Sequence, residues 1–221
     1  MNSAVPARNI FLTGGTGYIG SRLAVLLRDR GHQVRALVRP GSERKLPDGC
    51  EPVVGDALHG LSFAPRVAPA DTFVHLIGVS HPSPAKAQEF LRIDLASVAA
   101  AVPAAITAGV THFVYLSVAH PAPVMRAYIA ARTRAETIIR DSGISATFLR
   151  PWYVLGPGHR WPMLLYPMYW LAELVPGTRD GARRLGLITL KQMLNALLHA
   201  VEQPIAGVRV LEVPHIRQIS A

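Results

Sequence analysis

The residues best placed to do chemistry form an unbroken octet near the start of the chain, Thr13-Gly14-Gly15-Thr16-Gly17-Tyr18-Ile19-Gly20. It follows an apolar run at 10–12 and opens a stretch with helical spacing, Ile19, Leu23, Leu26 and Leu27. That strand–turn–helix setting is what makes a glycine triplet a dinucleotide fingerprint. Gly14 permits a tight turn, Gly17 lets backbone N–H groups approach a pyrophosphate, and Gly20 lets helix and strand pack closely. The helix start adds partial positive charge where phosphates would lie. At the end of the second strand, NAD-binding sites usually place an acid for the ribose 2′-hydroxyl. This chain has Arg39 there, with Arg44 and Lys45 just beyond. A guanidinium grips a 2′-phosphate through paired hydrogen bonds, whereas an acid repels it. NADP(H) is therefore favoured over NAD(H). Asp56, after Val53-Val54-Gly55, is placed to reach an adenine edge, and Ile77 and Gly78 complete the candidate cofactor residues.

These residues need a frame to hold them. Short β-type runs are expected at 10–12, 33–38, 52–54, 72–77, 112–117, 145–149 and 207–213. Helical stretches alternate with them at 18–30, 85–108, 124–141 and 189–201, several stopped by Gly31, Gly109 or Gly143. Pro103 is expected to kink the second of these helices. Apolar strands separated by helices predict a parallel sheet covered on both faces. The fold class expected is α/β, a Rossmann-type doubly wound parallel sheet in one domain over 1–221, with a small C-terminal cap at 152–188.

Composition narrows the setting. The chain has 221 residues, half of them hydrophobic, which excludes intrinsic disorder. Its 23 basic and 14 acidic residues give +9, and +6 of that falls within residues 1–45, where eight basic residues meet two acids. Such a field suits phosphate, nucleic acid or an acidic membrane surface without choosing among them. One cysteine, Cys50, excludes an intramolecular disulfide, and the nine scattered histidines show no metal-ligand spacing, so no metal is expected. The N-terminus lacks a signal-peptide core, and no run reaches ~20 uninterrupted apolar residues. A cytoplasmic location is the expectation.

Beyond the octet, Gly55-Asp56, Val114-Tyr115-Leu116-Ser117, Leu149-Arg150-Pro151 and Val154-Leu155-Gly156-Pro157-Gly158 recur in a familiar order, followed by Leu187-Ile188-Thr189-Leu190. Over most of its length the chain resembles the short-chain dehydrogenase/reductase superfamily, in its atypical and extended branch with epimerase/dehydratase-like and NmrA-like members. The resemblance implies hydride transfer between a nicotinamide and a substrate carbon, with a Ser–Tyr–Lys group handling the proton. Ser117 matches the serine and Tyr128 the tyrosine, and the fourth residue after Tyr128 is Arg132 instead of lysine. The i,i+4 spacing keeps phenol and cation on one helix face. Ser117 would then polarise a carbonyl, Tyr128 donate the proton, and Arg132 stabilise phenolate and bind ribose. Arginine is planar and bulkier than lysine, and not interchangeable with it at a site that needs a compact ammonium. Asp94, in Ile93-Asp94-Leu95, stands where the family often has asparagine. Both departures bear on turnover, not on cofactor binding.

All three tryptophans and three of the six tyrosines fall within 152–170. The apolar stretch 161–176 has one formal charge, Glu173. It suits a small hydrophobic carbonyl- or quinone-like substrate, and equally a homodimer or membrane-surface contact. No specific nucleic acid is expected. Two functions follow: an NAD(P)H-dependent oxidoreductase, or a non-catalytic NADP(H)-binding redox sensor or assembly subunit of NmrA-like type.

Overall fold

The computed structural model describes residues 6–158 and 176–219. Seven strands form one parallel sheet: β1 (Asn9–Thr13), β2 (Gln33–Val38), β3 (Glu51–Val54), β4 (Thr72–His75), β5 (His112–Leu116), β6 (Ala146–Arg150) and β9 (Val208–Glu212). Their order is β3-β2-β1-β4-β5-β6-β9, so the chain builds outward from β1 to one edge, then returns and builds to the other. A second, two-stranded parallel sheet joins β7 (Tyr153–Leu155) to β8 (Leu187–Thr189).

Alternation along the strands assigns the two faces, because successive side chains point to opposite sides. Ile10, Leu12, Val74, Val114 and Leu149 face one layer, covered by α1 (Gly20–Asp29), α6 (Leu190–Glu202) and α7 (Val213–Gln218). Phe11, Phe73, Phe113, Tyr115 and Phe148 face the other, covered by α3 (Ala96–Thr107) and α4 (Arg126–Asp141). Phe73 stacks between Phe11 and Phe113, with ring centroids 5.2 and 5.0 Å away. The expected doubly wound α/β sheet is the observed one.

The stretch expected as one helix at 85–108 is composite. A 3-10 turn and the short α2 (Ala87–Glu89) lead into a π-helix, Phe90–Leu95, and only then into α3. Pro103 lies inside α3, which runs on to Thr107. Pro103 and Ala99, whose carbonyl loses its donor, are both exposed, so water can take the place of the missing N–H. Helix α4 starts later than expected, at Arg126, because Met125 before it adopts a left-handed φ of 59°. Pro84–Thr107 is long and apolar enough, by length and composition, to cross a bilayer. Here it packs on the sheet through Val98, Ala101, Val102 and Ala105.

Of the cap at 152–188, the described residues give β7, α5 (Pro176–Arg184) and β8. The aromatic stretch at 161–175, with Trp161 and Trp170, lies outside the described residues.

Candidate functional site

The octet becomes the turn between β1 and α1. Gly14 has φ +80°, and a Cβ on it would sit 3.1 Å from the backbone of Leu76 at the end of β4. Gly20 is tighter still: a Cβ there would fall 2.1 Å from the Gly14 carbonyl oxygen. The first turn of a helix has amide N–H groups with no helical acceptor. At the start of α1 no side chain caps them and no acidic residue neutralises the helix dipole. An anion is the partner such an end accepts.

In front of this turn lies a groove of about 570 Å³ along the carboxyl ends of β1, β2 and β4. Gly14, Thr16, Gly17, Arg39, Asp56, Ile77 and Gly78 line it, as do Ser42 and Lys45. The remaining octet residues stand behind the wall. Gly15 packs on Ala36 and Leu46, Ile19 joins the core, and Gly20 meets Gly14. The Tyr18 ring lies under the Arg22 guanidinium at 4.5 Å. Thr13 is 1% exposed and its hydroxyl lies 2.9 Å from His75 Nδ1.

That contact fixes a proton arrangement. Ser97 Oγ donates to the Asp94 carbonyl at 3.1 Å, so it accepts from His75 Nε2, also at 3.1 Å. His75 Nδ1 therefore accepts from Thr13. Burial, with the Arg132 charge adding to it, pushes the His75 pKa down to about 3 and keeps the ring neutral. Thr13 is thus bound into the core and does not face the groove.

Part of the groove is cationic. Arg39 and Lys45 line it, with half-buried Ser42 between them in sequence. Asp56 accepts from the Leu58 N–H at 2.9 Å and contacts His59 Nδ1 at 2.8 Å. The Leu58 N–H first, then His59, holds its carboxyl below the usual range, with Arg39 adding to the effect. Val79 and Ile93 also line the groove, beside the polar Ser80 and Glu89. These last four come from the turn after β4 and from the start of the following helix, where no local motif marks them. Glycine-loop geometry, an uncapped helix start and a groove of this size fit a dinucleotide.

The three proposed proton-handling residues do not share one surface. Tyr128 is half-buried in a cluster with Val79 and Ile93, and its ring packs on Phe90 with centroids 4.9 Å apart. It therefore adjoins the groove through Val79 and Ile93 without itself being one of the lining residues. Ser117, 3% exposed, donates at 2.6 Å to Glu136, which accepts two further bonds from Arg150. Arg132 is 4% exposed and turned inward. Its Nη1 donates to the Leu116 carbonyl at 2.7 Å and to the Tyr115 hydroxyl at 3.3 Å, and its Nη2 lies 2.8 Å from Asp94 Oδ1. Its Nε is buried without a hydrogen-bond partner. Burial pushes the Asp94 carboxyl up, against the pull of Arg132 and the Val79 N–H. Burial also raises Tyr115, to about 12, while opposing the charge on Arg132; its neighbours Tyr115, Tyr128 and Asp94 outweigh that and raise Arg132 overall.

The chain matches the NAD(P)H-binding family over residues 14–158. It is 25% identical over 218 residues to the ceramide reductase of Caulobacter vibrioides, covering 97% of this chain and 67% of that protein. It is 32% identical over 112 residues to the 3-beta-hydroxysteroid dehydrogenase of Mycolicibacterium neoaurum, covering 48% of this chain and 31% of that protein. The fold is that of the Bordetella bronchiseptica enzyme WbmH in complex with NAD+, at TM-score 0.69 and 22% identity, covering 92% of this chain and 75% of that one.

Proposed function

The chain belongs to the NAD(P)H-binding family, within the extended short-chain dehydrogenase/reductase group, and from that premise we propose that it is an NADP(H)-dependent reductase of small hydrophobic carbonyl- or quinone-like compounds. One observation carries this reading: a single groove joins Arg39 and Lys45 to an end with Val79 and Ile93, against which Tyr128 packs. Gly14, Thr16 and Gly17 would hold the pyrophosphate against the start of α1, and Arg39, Ser42 and Lys45 the 2′-phosphate. A bound NADPH supplies hydride to the carbonyl carbon. The Tyr128 phenol donates its proton to the carbonyl oxygen, so hydride and proton together give the alcohol. Val79, Ile93 and Phe90 exclude water from that end and favour an apolar substrate. Two relatives are named for lipid-like compounds, ceramide and a 3-beta-hydroxysteroid, which supports the hydrophobic part of this reading.

Titration of nicotinamide fluorescence tests the cofactor choice. NADPH is expected to bind more tightly than NADH, and Arg39→Ala to weaken NADPH roughly tenfold while leaving NADH alone. Equal affinity of the wild type for both nucleotides would remove the NADP preference.

A second reading has its own support. The Ser117 hydroxyl is bonded to Glu136 and the Arg132 charge is turned inward, which suits a protein that binds NADP(H) without turning it over. Tight NADPH binding with no oxidation across a panel of carbonyls and quinones would favour this sensor or assembly role.

A further inference from the structure

Asp94 and Arg132 meet behind the inner wall of the groove, 2.8 Å apart and both buried. Three neighbours make the arrangement specific. Asp94 Oδ2 accepts the Val79 N–H at 3.0 Å, so the π-helix that carries Asp94 holds the wall residue Val79 directly. The Arg132 guanidinium lies 5.2 Å from the centroid of the Tyr128 ring. Gly78, also on the wall, leaves the space the guanidinium fills: a Cβ there would stand 2.0 Å from Arg132 Nη2 and 3.2 Å from Asp94 Oδ1. A buried guanidinium without a counter-charge is strongly unfavourable, and asparagine in place of Asp94 would supply none.

We propose that Asp94 and Arg132 act as one coupled pair, in which Asp94 is a positioning residue that seats the guanidinium behind Gly78 and beneath Tyr128. The pair acts as an internal strut for the groove wall, and Arg132 does not itself touch the nucleotide. Gly78 is the third member of the set, since any side chain there unseats the fork. This rests on the reading of the groove as an NADP(H) site, but its central test needs no substrate.

The test compares wild type with Asp94→Asn, Arg132→Met and the double variant, reading NADPH affinity by fluorescence and thermal midpoint without nucleotide. Each single variant is expected to lose about tenfold in NADPH affinity and to melt lower, one with an unpaired buried guanidinium and the other with an unmatched carboxylate. The double variant, with neither, is expected to recover most of both losses. Losses that simply add in the double variant would overturn the proposal. Should a single variant fail to fold, a soluble double variant supports it and an insoluble one overturns it. Gly78→Ala supplies a separate arm, because it displaces the guanidinium without altering either charge. It should weaken NADPH binding in the wild type and much less in the Arg132→Met background, and equal effects in both backgrounds would count against the strut. Absence of carbonyl turnover in every protein would strike at the reductase reading and leave the recovery readable.

Discussion

The hydroxyls of Ser117 and Tyr128 are set in different surroundings, and this separates their roles. Ser117 donates to a buried carboxylate already held by Arg150, whereas Tyr128 adjoins the groove. Ser117→Ala is therefore expected to cost about 1 kcal/mol of stability, the usual value of one hydrogen bond, and to leave carbonyl reduction near the wild-type rate. Tyr128→Phe is expected to lower kcat by about 10²- to 10⁴-fold with NADPH affinity unchanged. Steady-state kinetics beside urea unfolding would read both, and full turnover by Tyr128→Phe would take the phenol out of the mechanism. Much of the site was legible in the sequence at this scale, since Gly14, Gly17 and Arg39 act through local backbone and charge. The direction of Arg132 was not, because Asp94 and Gly78, far away in the chain, decide it. The family's serine was found by position, and only the partner across the helix, Glu136, revealed where its proton points.

Among the elements, the β1–α1 turn depends on backbone meeting backbone. Gly20→Ala would drive a methyl into the Gly14 carbonyl and toward the Gly15 Cα, so the first turn of α1 must lift away. Roughly 1–3 kcal/mol of stability should be lost, with NADPH affinity falling in parallel as Gly14 and Gly17 move. Thermal melting with and without nucleotide checks this, and a variant that keeps both would show that the turn tolerates the shift. Strand positions were readable because short apolar runs and glycine stops are local signals. The π-helix was not, for its wider turn is held by Asp94 bonding to Val79 across space. The β7–β8 pair also escaped, since strands of three residues carry little pattern and pair with a distant segment.

Across the molecule, the neutral histidines under the sheet set the response to acid. His75 is pushed down to about 3 and His112 to about 4, in both cases by burial first, against an ordinary 6.5. The unfolded chain binds protons that the folded one refuses, so stability is complete above about 6.5 and falls as pH drops toward 4 and then 3. The slope expected is up to about 1.4 kcal/mol per pH unit for each histidine. Urea midpoints measured from pH 7 to pH 4.5 should fall steadily, and a flat profile would mean that water reaches these rings. The doubly wound plan itself was legible from continuous apolar strands, while the two-faced division of its core followed from alternation within each strand. The seventh strand, β9, pairs along the whole of β6, from Ala146 with Val208 to Arg150 with Glu212. A nascent chain stopped before residue 208 would carry six assembled strands and a bare rim of unpaired amides along β6, open to the same rim on a neighbouring chain. Solubility during synthesis therefore rests on how soon β9 follows β6 into the sheet.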